Sequence, residues 1–138
     1  MNEFKYYCLS KNDKQKIIRK LREILQKKKD IIFAVLHGSF IENECFRDID
    51  IAIYVKPSDK KNLLGDYIVS LSLALSQEIG FPVDVQTLND APLMFKYEVL
   101  RRGELLFCND ELFFERYHIA VEFETWDFNY LLEIIEKI

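Results

Sequence analysis

Residues 33–55 read FAVLHGSFIENECFRDIDIAIYV, an apolar run that halts at Gly38-Ser39 and resumes at a pair of aspartates. Asp48 and Asp50 stand two apart in an alternating segment, so on a strand both carboxylates leave one face while Ile49, Ile51 and Ile53 leave the other. The isoleucine face belongs in a core. Two acids on the opposite face repel each other and lose hydration if covered, an arrangement that makes sense chiefly when a cation sits between them. Magnesium carrying a phosphate substrate fits best, and this stretch is the expected active site.

Outward from it, residues 12–29 place Ile17, Ile18, Leu21, Ile24 and Leu25 at helical spacing between lysines, with caps on offer at residues 10–13. Residues 31–36 are continuously apolar and too short for a helix, as expected of a strand covered on both faces. A second strand is expected over 48–55, closed by Lys56-Pro57, then a helix over 59–79 capped by Gly80. A third strand follows over 83–88. Asp90 and Pro92 start a helix that stops at Gly103, and a short strand over 104–108 follows. From 109 to 138 there is neither Gly nor Pro, and Phe114, Tyr117, Val121, Phe128, Leu131, Ile135 and Ile138 recur at helical intervals, as one long helix or two. Phe123, Trp126 and Tyr130 lie partly off that stripe, either as core or as a surface for a partner. The expected fold is α/β (α+β), a small mixed sheet with flanking helices, in one domain over 1–138 whose residues 109–138 form a C-terminal helical extension.

A chain of 138 residues with 49% hydrophobic and 30% charged residues can bury a core and needs no second domain. No apolar run approaches the roughly 20 residues of a membrane span, and residues 1–14 lack a signal-peptide apolar core. A soluble, cytoplasmic protein is expected. Cys8, Cys45 and Cys108 are odd in number and far apart, so reduced thiols are expected and a zinc site is not. The net charge of -4 argues against direct binding of nucleic acid. The charge is uneven, however: residues 1–30 carry ten Lys/Arg against four Asp/Glu, and residues 109–138 carry two against eight. An acidic C-terminal face could meet a basic partner, or the two ends are simply the solvated faces of amphipathic helices.

Gly38-Ser39, Asp48-Ile49-Asp50 and the later Asp84 within VDVQ resemble the GS…DxD…D signature of the polymerase-β-like nucleotidyltransferase superfamily. The small size resembles its minimal nucleotidyltransferases, the MntA-type antitoxins encoded beside HEPN-family toxins. The order strand, GS, strand, helix, strand and the segment EVLRRG at 98–103 extend the similarity over most of the chain. Two features depart from the family pattern. GSFIEN lacks the usual Arg-Gly and reaches Asp48 after eight residues, and Arg47 stands where Ser is usual.

The resemblance implies that Asp48 and Asp50 bind two Mg2+ ions, about 3.5–4 Å apart in such sites, one holding the triphosphate of ATP and one activating the attacking hydroxyl. It implies Asp84 as third metal ligand and as the catalytic carboxylate that accepts the hydroxyl proton, and Gly38 and Ser39 as nucleotide-binding residues. The implied partner is a HEPN-family ribonuclease toxin whose tyrosine accepts AMP. Three readings stay open: an enzyme transferring a nucleotide to a protein hydroxyl, an antitoxin acting by occlusion alone, and a small-molecule transferase. Among the other polar residues, His37 is read as structural. Arg47 would reach a phosphate or pair with Glu42 or Glu44, and Arg101 and Arg102 are read as helix-dipole partners.

Overall fold

The computed structural model describes residues 5–57 and 63–137. The expected helix start at Asp59 and the last stripe residue, Ile138, lie outside them. The elements run β1 (Tyr7–Cys8), α1 (Lys11–Gln26), β2 (Ile31–His37), α2 (Ser39–Glu42), β3 (Cys45–Phe46), β4 (Ile49–Val55), α3 (Leu64–Ile79), β5 (Val83–Thr87), α4 (Leu93–Arg102), β6 (Glu104–Cys108) and α5 (Glu111–Glu136). The α/β expectation holds. The main sheet is mixed, in the order β5-β4-β2-β6, with β2 antiparallel to both β4 and β6 and with β4 parallel to β5.

Each strand sorts its side chains by the two-residue period. On one face, Ile49, Ile51 and Ile53 of β4 join Val83 and Val85 of β5 beneath Leu21 and Leu25 of α1 and Leu71 and Leu75 of α3. The three isoleucines are fully buried, worth roughly 1.5–3 kcal/mol each. On the other face, Phe33 and Val35 of β2 and Ala52 of β4 pack against Val99 of α4, with Phe113, Phe114 and Tyr117 of α5 alongside. Because helices cover both faces, β2 has to be apolar on both, as its unbroken run at 31–36 requires.

Strand β5 lies at the sheet edge, where its outer N–H groups need partners. Ser76 Oγ accepts from Val83 N at 2.8 Å and Ser72 Oγ from Val85 N at 3.0 Å, so α3 both covers the edge and fixes the strand's register. On its inner side β5 pairs in parallel with β4, with Asp50 opposite Asp84.

Several local expectations need adjustment. Asp90 does not cap α4: it has a positive φ of 57°, and Pro92 takes the cap position, where its missing N–H costs nothing. Asp48 stands one residue before β4 rather than within it. The expectation of reduced thiols fails for two cysteines. β1 and β3 form a two-stranded antiparallel ribbon that sets Cys8 opposite Cys45, and the pair is joined as a disulfide, leaving Cys108 free. Cysteines 37 residues apart reveal no such pairing in sequence, because only the register of the ribbon brings them together. Among the described residues, no helix is long and apolar enough to cross a membrane.

Closing a loop of that separation is worth about 2–4 kcal/mol. Reducing the protein with a dithiol, or replacing Cys45→Ser, is expected to lower the melting temperature measured by calorimetry, whereas the same dithiol leaves the melting temperature of Cys45→Ser unchanged.

Candidate active site

The site lies where β4 and β5 begin, on the sheet face that carries α4 and α5. Register and alternation bring four polar side chains to one ledge there: His37 pairs with Asp50 across β2 and β4, Asp50 faces Asp84 across β4 and β5, and Gln86 follows Asp84 on the same face of β5. Asp48 precedes the strand by one residue and lies close enough to act electrostatically on Asp50. The three acids named from the sequence are thus neighbours.

Partial burial pushes the Asp50 carboxyl up from the usual carboxylate range. A hydrogen bond from Gln86 and the nearby His37 act against this, and the charges of Asp48 and Asp84 act with it. Gln86 Nε2 donates to Asp50 Oδ1 at 3.1 Å and to Asp84 Oδ2 at 2.7 Å. One amide therefore joins two of the acids. As they stand, no three such side chains among the described residues converge as a metal cage. The donor set nevertheless fits Mg2+: its groups are hard carboxylate oxygens on one ledge, and the amide N–H groups already supply positive polarity between Asp50 and Asp84.

Gly38 closes the other side. It initiates α2 with φ 81° and ψ -161°, a conformation costly to any residue with a Cβ, and a Cβ placed there would collide with Asp50 Oδ2. Glycine is therefore required for the backbone to pass beside the carboxylate. Ser39 opens the four-residue α2, whose Ile41 and Glu42 N–H groups return to Gly38 O at 3.1 Å.

Two contributors escaped the sequence reading. Lys14, on α1, donates from Nζ to Phe40 O at 2.8 Å and to Asn43 O at 2.5 Å, and lies 5.2 Å from the centre of the Phe40 ring. It ties the GS loop to the body of the protein; no local pattern signals a contact across 26 residues. Burial pushes its ammonium down from the ordinary lysine range, with Glu44 opposing. Gln86 was legible in principle, since VDVQ puts it on the face of Asp84. His37, read from sequence as structural, bonds Gln86 Oε1 at 2.7 Å and lies edge-to-face with Phe95 of α4. Arg101 and Arg102 both pair with Glu98 on the surface, and Arg102 also lies 3.9 Å from Glu42 of α2.

The raised Asp50 pKa fixes the sign of a pH effect. Folding favours the protonated acid, so the stability tied to this group is complete below the unfolded carboxylate pKa of about 3.9 and is lost as pH rises through the higher folded value. Asp50→Asn is expected to raise the melting temperature of the metal-free protein at pH 7 and to leave it nearly unchanged at pH 3, measured by calorimetry in chelator.

Curated proteins provide no sequence match. Among solved structures, a chain from tri-AMPylated Shewanella oneidensis HEPN toxin in complex with MNT antitoxin superposes with a TM-score of 0.69 at 18% identity, covering 90% of this chain and 96% of that one. A chain of a toxin–antitoxin complex with AMP-PNP gives 0.65 at 19% identity, covering 94% and 97%. The MntA-HepT toxin–antitoxin gives 0.63 at 19%, covering 93% and 97%. At these identities the likeness is one of fold. The family model described as polymerase beta, nucleotidyltransferase matches residues 19–112, more than half of the chain and the whole of the acid ledge, and the chain belongs to that family.

Proposed function

We propose that this protein is an Mg2+-dependent nucleotidyltransferase that moves AMP from ATP to a protein hydroxyl, a tyrosine of a HEPN-family ribonuclease, and so acts as the antitoxin of a toxin–antitoxin pair. The observation that carries the reading is the in-register pair Asp50 and Asp84, with Asp48 beside them and Gly38-Ser39 against Asp50. The structural likeness to complexes of HEPN toxin with MNT antitoxin supports the acceptor class.

Asp48, Asp50 and Asp84 would hold the ions, which when bound neutralise triphosphate charge and make the attacking hydroxyl more acidic. The protein's own groups divide the remaining work. Gly38 lets the backbone approach a phosphate closely, and Ser39 offers a hydroxyl and an N–H to its oxygens. Lys14 keeps that loop in place. Asp84, the more exposed acid on the edge strand, is positioned to accept the proton of the attacking hydroxyl. The hydroxyl oxygen bonds to the α-phosphorus, the bond to the β-phosphate oxygen breaks, and pyrophosphate leaves with that electron pair.

The acceptor protein has to be held against this ledge. The second half of α5 has the surface to hold it, since Phe123, Trp126 and Ile135 are 66%, 74% and 63% exposed, on a helix rich in acids. Trp126 and Phe123 are thus surface residues rather than core. Such anchors, on a helix that also carries Glu122, Glu124 and Asp127, suit the basic face of an RNA-cleaving partner. This surface also favours a second reading, in which binding alone neutralises the toxin.

Incubation with Mg2+, labelled ATP and the neighbouring HEPN protein tests the reading. Asp48→Asn and Asp50→Asn are expected to reduce transfer roughly a hundredfold or more without unfolding the protein, while Asp84→Ala loses more turnover than ATP binding. Wild-type rates in either Asn variant would sink the metal assignment, and toxin neutralisation without transfer would establish occlusion.

Trp126→Ala is expected to weaken the complex by more than about 1 kcal/mol while changing the stability of the free protein by no more than about 0.5 kcal/mol, as read by calorimetry. Added salt should slow association.

A further inference from the structure

Along the ledge runs a hydrogen-bond chain from His37 Nε2 to Gln86 Oε1 at 2.7 Å and from Gln86 Nε2 to Asp84 Oδ2 at 2.7 Å and Asp50 Oδ1 at 3.1 Å. Its polarity is determined by what each group can do. Ionised carboxylates only accept, so the amide nitrogen must face them and the amide oxygen must face His37. His37 Nε2 therefore carries a proton and donates it to that oxygen. Turned the other way, the amide would set its oxygen against two carboxylates. The bond from His37 disfavours that turn, and the ring is itself held by Phe95 of α4 at 5.8 Å between centroids.

We infer that Gln86, oriented by His37, is a positioning residue of the acid cluster: its amide holds Asp50 and Asp84 together and yields their facing oxygens to a divalent cation. This rests on the metal-dependent reading above. The amide places one N–H on each of two carboxylates that the parallel register forces side by side, where like charges would otherwise push the side chains apart. An ion that takes the lone pairs now accepting those N–H groups displaces them, so the amide holds the acids in the metal-free protein and competes with the ion when it binds. Removing it without changing the strand should leave the acids less well held before the ion binds and freer to take it up.

The test measures Mn2+ binding to the full-length protein, by loss of the free-ion paramagnetic resonance signal, for wild type, Gln86→Leu and His37→Phe. Melting temperatures are measured alongside, in chelator and at saturating Mg2+. Gln86→Leu is expected to bind Mn2+ about three- to tenfold more tightly. It should melt below wild type in chelator, and the gap should close at saturating Mg2+, which a merely structural role would not produce. His37→Phe should shift both readouts in the same direction by less. Unchanged or weaker Mn2+ binding by Gln86→Leu, or a gap that persists with Mg2+, overturns the proposal while the metal reading stands. Absence of Mn2+ binding by wild type overturns the metal reading, and the proposal with it. If Gln86→Leu does not fold, the side-chain amide resonances of Gln86 in the wild type decide: they should move to saturation as Mg2+ is added, and resonances that stay fixed overturn the proposal.

Discussion

The parallel pairing of β4 with β5 is the constraint on which the candidate site depends. Asp50 faces Asp84 only in the observed register, and a slip by one residue would turn every side chain of β5 to the opposite face, burying Asp84 among leucines and exposing Val83 and Val85. An edge strand five residues long has little of its own to prevent such a slip. Two serines of α3 supply the pin, since Ser72 and Ser76 accept the outward N–H groups of Val85 and Val83 and so couple the strand's position to a helix packed on the core. A chemical arrangement on one face is thereby held by hydrogen bonds at the edge.

Placing like charges together makes the rest of the site a set of responses to that choice. Gln86 brings donors to two of the acids, Gly38 leaves room for one of them, and the loop that follows is held by an amine from α1. Each response comes from a different part of the chain. The shortened GS loop lacks the family's Arg-Gly, yet Lys14 spans Phe40 and Asn43, and Arg102 approaches the loop's Glu42 from α4. The loop is held chiefly by Lys14, the half-exposed Arg102–Glu42 pair adding little.

Helix α5 divides its 26 residues between two roles. Its first turns deliver Phe113, Phe114 and Tyr117 to the aromatic cluster around Phe33 and Tyr54, where Phe33 and Phe114 meet edge-to-face at 4.8 Å. Beyond Thr125 the helix outruns the sheet. The apolar period continues with no described residue covering it, so Leu131 and Ile135 sit on the same repeat as buried Val121 and are themselves exposed. Periodicity records that a helix has an apolar stripe and is silent on what meets it.

Much was determined by sequence alone, for a physical reason: side-chain alternation on a strand is a local rule. It placed Asp50 opposite a buried isoleucine face, marked β2 as covered on both sides, and located β6 to the residue. Gly38-Ser39 and the spaced acids carried the family as well, because a site built on strand ends leaves its residues at regular positions. Contacts between distant segments obey no such local rule, and these the tertiary structure decided. Cys8 meets Cys45 because a two-residue ribbon forms, Lys14 reaches the GS loop because α1 crosses beside it, and Gln86 bridges two acids because β5 runs parallel to β4 in one register. Leu131 and Ile135 stand in solvent because nothing among the described residues covers the far end of α5. That is a fact of size and placement, which no local pattern of residues contains.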